Sequence, residues 1–94
     1  MIIYKKEGTM KQRFILAVER KNLTEQAEIQ LLNLDRTLFL SENSFKRILK
    51  DTLQEREGKV KVVIGTFAEW VRYARENVDF KPEDYTVIDI EIEY

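Results

Sequence analysis

Apolar residues recur along this chain with two periods, and twice the shorter period hands over to the longer one at a capping residue. Thr37 to Leu40 is a strand-like apolar run leading into Ser41, after which Phe45, Ile48, Leu49, Thr52 and Leu53 repeat at helical spacing. Val60 to Ile64 leads in the same way into Thr66, followed by Phe67, Trp70, Val71 and Ala74. Each predicted helix therefore carries one apolar stripe, and a stripe of that kind is buried by lying on a sheet.

The remaining segments fill out the same architecture. Arg13 to Glu19 alternates Phe14, Leu16 and Val18 with Ile15 and Ala17, so both faces are apolar and the segment is expected to be an inner strand. Leu23, Ala27, Leu31 and Leu34 keep helical spacing behind Thr24, a capping residue, and Glu25, an acid suited to a first turn. Ala27, Ile29 and Leu31 also alternate, which would permit a hairpin through Asp35-Arg36; the helical reading is adopted. Ser41 is expected to cap a helix reaching about Glu57, with Gly58 in the left-handed position beyond its end. Lys59 to Ile64 reads as a strand, Gly65 as a turn, and Thr66 with Glu69 as a capping box opening a helix to about Asn77. Phe80, Pro82, Glu83 and Asp84 form an irregular link. Thr86 to Tyr94 is the last strand, with Ile88, Ile90, Ile92 and Tyr94 on one face and Asp89, Glu91 and Glu93 on the other. The expected fold is α+β: one domain, residues 1–94, with a small single-layer mixed sheet of four or five strands packed by two or three helices.

The first nine residues admit two readings. Lys6-Glu7-Gly8 can be encoded by a purine-rich, ribosome-binding type of sequence just before the Met10 codon, which would make translation start at Met10 in a bacterium or phage. Alternatively Ile2, Ile3 and Tyr4 form an edge strand, hairpinned through Glu7-Gly8-Thr9 onto the strand that follows.

Composition narrows the chemistry. An apolar fraction of 44% and a charged fraction of 35% are those of a folded chain with a solvated surface. There is no histidine and no cysteine, so Ser-His and Cys-His nucleophile pairs, thiolate zinc sites and disulfides are all excluded. Gly8, Gly58 and Gly65 stand alone and make no phosphate cradle. No apolar run approaches the roughly 20 residues of a membrane span, and Met1 to Lys6 is too short for a signal-peptide core. A cytoplasmic protein with no cofactor, no metal and no enzymatic activity is expected. The row Asp89, Glu91 and Glu93 is the one compact carboxylate cluster; it reads as a solvated strand face opposed by Lys59 and Lys61 if those strands are neighbours.

Charge is distributed unevenly about a net of -1. Residues 1–24 hold six cations and two acids, +4; residues 46–61 hold six and three, +3; residues 79–94 hold one cation and six acids, -5. Lys11, Arg13, Arg20, Lys21, Lys46, Arg47 and Lys50 are the candidate contacts to nucleic-acid phosphates, although no aromatic residues interleave with them as a single-strand platform requires. A helix-turn-helix is disfavoured by the long apolar link Leu38-Phe39-Leu40. Trp70 is expected in the core. Tyr73, Tyr85 and Tyr94, with Asp89, Glu91 and Glu93, are the candidate protein interface. The function expected from sequence is that of a small bacterial or phage accessory protein that binds another protein, with a homodimer compatible and no membrane partner; nucleic-acid binding through the basic residues is the alternative.

Overall fold

A computed structural model describes residues 10–54 and 58–93. The elements run β1 (Lys11–Glu19), α1 (Glu25–Leu32), β2 (Leu38–Phe39), α2 (Glu42–Leu53), β3 (Val62–Gly65), α3 (Phe67–Glu76) and β4 (Tyr85–Glu93), with a 3-10 turn, Pro82–Asp84, before β4. The fold is α+β, one mixed four-stranded sheet ordered β2-β4-β1-β3 with three helices on it. The N-terminal alternatives for residues 1–9 lie outside the described residues, as does Tyr94.

Direction across the sheet explains where the helices sit. β1 is antiparallel to both β3 and β4, and β2 is parallel to β4, so β2, β3 and β4 all point the same way. The chain crosses from β2 to the far edge at β3 through α2, then returns to β4 through α3. Parallel crossovers are right-handed, so reversing the direction of travel must move the connecting helix to the opposite face. Phe45 and Leu53 of α2 pack with Leu16, Val18, Ile88, Ile90 and Ile92 on one face. On the other face Phe67 and Tyr73 of α3 lie against Arg13 and Lys61.

The main core is on the α2 face. Leu31 of α1, Phe39 of β2 and Val60 close it, with Leu23, Leu34 and Leu49 packed at its margin. Phe39 and Phe45 meet edge to face with centroids 5.2 Å apart, a geometry that sets a positive ring edge on a negative ring face. Each helix begins as its sequence requires. Thr24 and Ser41 accept hydrogen bonds from the N–H groups of Ala27 (3.1 Å) and Ser44 (3.0 Å). Thr66 and Glu69 form the full capping box: the Thr66 hydroxyl accepts from Glu69 N–H at 3.2 Å, and Glu69 Oε1 accepts from Thr66 N–H at 2.8 Å. A Cβ at Gly65 would stand 3.1 Å from the Cβ of Glu69, so glycine there lets the box close against the strand.

Several expectations need correction. α2 ends at Leu53, short of Glu57, because Gln54 takes up the left-handed conformation at φ 51°; Gly58, also left-handed at φ 87°, serves the turn beyond. β2 is two residues and β3 starts at Val62 and includes Gly65. Lys59 and Lys61 do not oppose the acidic row, because β1 lies between β3 and β4. The acids face β1 instead, with Lys11 across from Glu93 and Arg13 across from Glu91. Trp70 is only partly buried, since no residue of α3 reaches the core.

Candidate interaction surfaces

Alternation along β1 separates the candidate basic residues. Lys11 and Arg13 point to the α3 face, where the Arg13 guanidinium donates to both carboxylate oxygens of Asp89 at 2.9 and 2.8 Å. These hydrogen bonds, followed by the charge of Arg13, hold the Asp89 carboxyl below the usual carboxylate range. Arg20 and Lys21 lie just beyond the opposite end of the strand, roughly 24 Å from Arg13 at the strand rise. Arg20 donates to the carbonyl of Glu83 and sits 3.8 Å from Glu28. Lys46, Arg47 and Lys50 are on α2, across the sheet. The structure thus brings Lys46, Arg47 and Lys50 together and leaves the other four in two distant places.

The candidate protein-interface residues divide in a similar way. Tyr85 is buried, 8% exposed, and joins Phe80, Tyr73 and Trp70 in an aromatic cluster beneath α3. The exposed tyrosine patch expected from sequence is therefore not formed by Tyr85 and Tyr73. Phe80, read from sequence as part of a link, is the hub of that cluster, with centroids 4.8 Å from Tyr85, 5.0 Å from Tyr73 and 6.1 Å from Trp70. Its only sequence signal is a lone aromatic residue between Asp79 and Lys81.

Asp89, Glu91 and Glu93 do share one surface. On its face α3 packs against β1 and β3, and the aromatic cluster beneath it covers the Tyr85 end of β4, whereas β4 is exposed farther along at Val87. On this open part Val87 and Leu38 are exposed beside the acids, since Leu38 stands opposite Glu91. Arg36 borders it from a left-handed backbone position (φ 65°), with its N–H bonded to the Asp89 carbonyl at 2.6 Å. Arg13, Arg36, Asp89, Ile90 and Glu91 line a shallow hollow of about 360 Å³. The result is a mosaic of paired charges and exposed aliphatic groups.

Three further hollows border β3. Lys46, Arg47, Leu49, Lys50, Leu53, Gly58 and Val62 line one of about 510 Å³ on the α2 face. Lys46 also borders a second, of about 260 Å³, with Phe14, Phe45, Ile64 and Ile92. A third, of about 170 Å³, lies on the α3 side between Val63, Gly65, Trp70 and Tyr73. The Trp70 Nε1–H is enclosed and has no acceptor. Among the described residues no group of His, Cys, Asp or Glu could hold a metal ion, and no helix is long and apolar enough to cross a membrane. No protein-family model, curated protein or solved structure matches this chain.

Proposed function

We propose that this chain is a non-catalytic accessory protein of bacterial or phage type, working in the cytoplasm, whose activity is to bind another protein. The observation that carries this reading is the uncovered part of the sheet on the α3 face. Leu38 of β2 and Val87 of β4 are exposed there at the two ends of a charged stretch formed by Arg13, Arg36, Asp89 and Glu91. Apolar groups held on a rigid sheet lose little entropy when covered, and a rim of charges selects the partner.

Affinity capture from the source cells with the wild-type chain and with Leu38→Lys/Val87→Lys tests the reading. Wild type is expected to retain one protein in stoichiometric amount, and the double variant to lose it while melting normally. Identical retention by both chains would remove this face as the binding surface. The alternative, nucleic-acid binding, is favoured by the three cations Lys46, Arg47 and Lys50 on one flank of α2. A shift assay over a salt series decides it, since phosphate contacts weaken steeply as salt rises.

A further inference from the structure

We propose that the outer edge of β3 is a strand-addition site for an extended segment of a protein partner, with acidic side chains toward α2 and apolar ones toward α3. The inference rests on the protein-binding reading above but concerns a different surface. β3 pairs with β1 on one side and with no described strand on the other. The Glu19 N–H bonds to the Lys61 carbonyl at 2.9 Å, which makes residues 19 and 61 a hydrogen-bonded pair. Bonding alternates along an antiparallel ladder, so Val62 and Ile64 turn their N–H and C=O groups outward. Exposed edges are ordinarily blunted by proline, a bulge or an inward charge. Val62-Val63-Ile64-Gly65 has none of these, and Lys61 lies over the Tyr73 ring, 5.7 Å from its centroid, instead of guarding the edge.

A strand added here would alternate its side chains between the two faces of the sheet. Toward α2 they would enter the 510 Å³ hollow, where Leu49 and Leu53 give apolar contact and Arg47 and Lys50 supply positive charge, Lys46 being paired with Glu42 at 2.9 Å. Toward α3 they would meet the smaller hollow beside Trp70 and Tyr73, where the enclosed indole N–H lacks an acceptor. Main-chain bonds to an edge give affinity, and the flanking pockets give specificity.

The same charges argue against a second copy as the occupant. Antiparallel pairing of two β3 edges about a two-fold axis keeps both α2 helices on one side of the continuous sheet. That arrangement brings Arg47 and Lys50 of both copies toward the seam, where like charges repel. An acidic partner relieves what a copy would aggravate.

The test uses the full chain and a capped octapeptide of alternating glutamate and valine, with a lysine and valine peptide as control. Hydrogen exchange at the Val62 and Ile64 amides is expected to slow at least tenfold with the glutamate peptide and to stay unchanged with the lysine peptide. Emission from Trp70, the one tryptophan, should shift in the same titration. Ile64→Pro blocks the outward edge without removing a bond to β1, so it should melt near wild type and lose the peptide. Val62→Pro serves if that variant fails to fold. Lys46→Glu/Lys50→Glu should reverse the preference between the two peptides. Unchanged exchange at Val62 and Ile64 in wild type, or full binding by the proline variant, would overturn the proposal. Protection of these amides without peptide, accompanied by a doubled mass in sedimentation, would replace it with self-pairing. A Trp70 shift produced by single-stranded DNA and not by peptide would replace it with nucleic-acid binding. If Ile64→Pro leaves protein capture intact while Leu38→Lys/Val87→Lys abolishes it, the edge proposal fails and the protein-binding reading stands; if neither variant alters capture, both surfaces fail; if the wild-type chain captures no protein, the reading itself fails.

Discussion

The two strand-to-helix units of this protein are written alike and held differently. β2 with α2 and β3 with α3 share an apolar run, a hydroxyl cap and a helix with one apolar stripe. α2 sinks Phe45, Thr52 and Leu53 into the core, whereas α3 buries no residue completely. α3 is anchored by its capping box, by the half-buried Trp70 and Tyr73, and by Phe80 arriving from outside the unit. Amphipathic spacing thus reports that a helix has a face to bury. How deeply that face is buried depends on what lies opposite, and here one side of the sheet receives two helices and the other receives one.

The largest expected effect breaks the side that holds α2. Ile90 is 1% exposed and stands between β1 and β2 in the sheet. Ile90→Ala is expected to cost about 2 to 5 kcal/mol through lost transfer energy and the cavity left behind. For a domain of this length that is a large share of total stability. Denaturant titration should show a much lower midpoint with an unchanged slope; a midpoint close to wild type would mean that the two sides of the sheet are equally soft.

The matching change on the α3 side is Trp70→Ala. Because Trp70 is partly exposed, the loss should be about 2 kcal/mol, below the ~3–5 kcal/mol of a fully buried aromatic. The enclosed, unpaired indole N–H lowers it further, since removing an unsatisfied donor returns part of its desolvation cost. A loss equal to that of Ile90→Ala would show that α3 is as deeply anchored as α2.

The difference between the units marks where sequence reasoning succeeded and where it stopped. Two helices were plainly legible, because hydroxyl caps and apolar spacing act within a few residues of each other, as at Ser41 and Thr66; α1 was not decided by these signals, because Ala27, Ile29 and Leu31 alternate as a strand would behind the same kind of cap at Thr24. β1 was legible as an inner strand, because two apolar faces require cover on both sides. Strand order was not legible: the placement of β1 between β3 and β4 rests on pairings between segments far apart in the chain, such as Ile15 with Gly65 and with Asp89. That order decides that Asp89 meets Arg13 and not Lys61. The candidate surfaces were recovered in fragments for the same reason. Val87, Asp89, Glu91 and Glu93 share a face because a strand alternates locally, while Leu38 joins them only through the parallel pairing of β2 with β4, which sets it beside Glu91.

A smaller effect separates the two caps. Thr66→Ala removes a hydroxyl that accepts from Glu69 N–H and loosens the reciprocal backbone bond to Glu69, whereas Ser41→Ala removes the acceptor of Ser44 N–H and a hydroxyl bond to Ser44 Oγ but no reciprocal bond to the cap's own N–H. Both should destabilise by about 1 kcal/mol, with Thr66→Ala the larger. That corresponds to roughly 4–8 °C in melting temperature for a domain of this size. Equal losses would mean that the Glu69 half of the box adds nothing to α3.

The smallest expected effect is a dependence on pH, and it too distinguishes the two parts of the molecule. Asp89 is held below the usual carboxylate range by hydrogen bonds from Arg13 and then by its charge, and Glu69 is lowered chiefly by the Thr66 backbone N–H. A carboxylate with a depressed folded pKa contributes stability that is full above its unfolded pKa and is lost as pH falls through the folded value. The unfolded values lie at about 3.9 for Asp and about 4.3 for Glu. Asp89→Asn should therefore melt below wild type at neutral pH, and the gap should close as pH falls below about 4. The gap should also narrow with added salt, because the pair is solvent-exposed and screened. Glu69→Gln keeps an oxygen that can accept from Thr66 N–H, so its gap at neutral pH should be smaller and flatter with pH. A pH-independent gap for Asp89→Asn would mean that the variant acts through the backbone, where Asp89 N–H donates to Asp35 Oδ1 at 2.8 Å, and not through its charge.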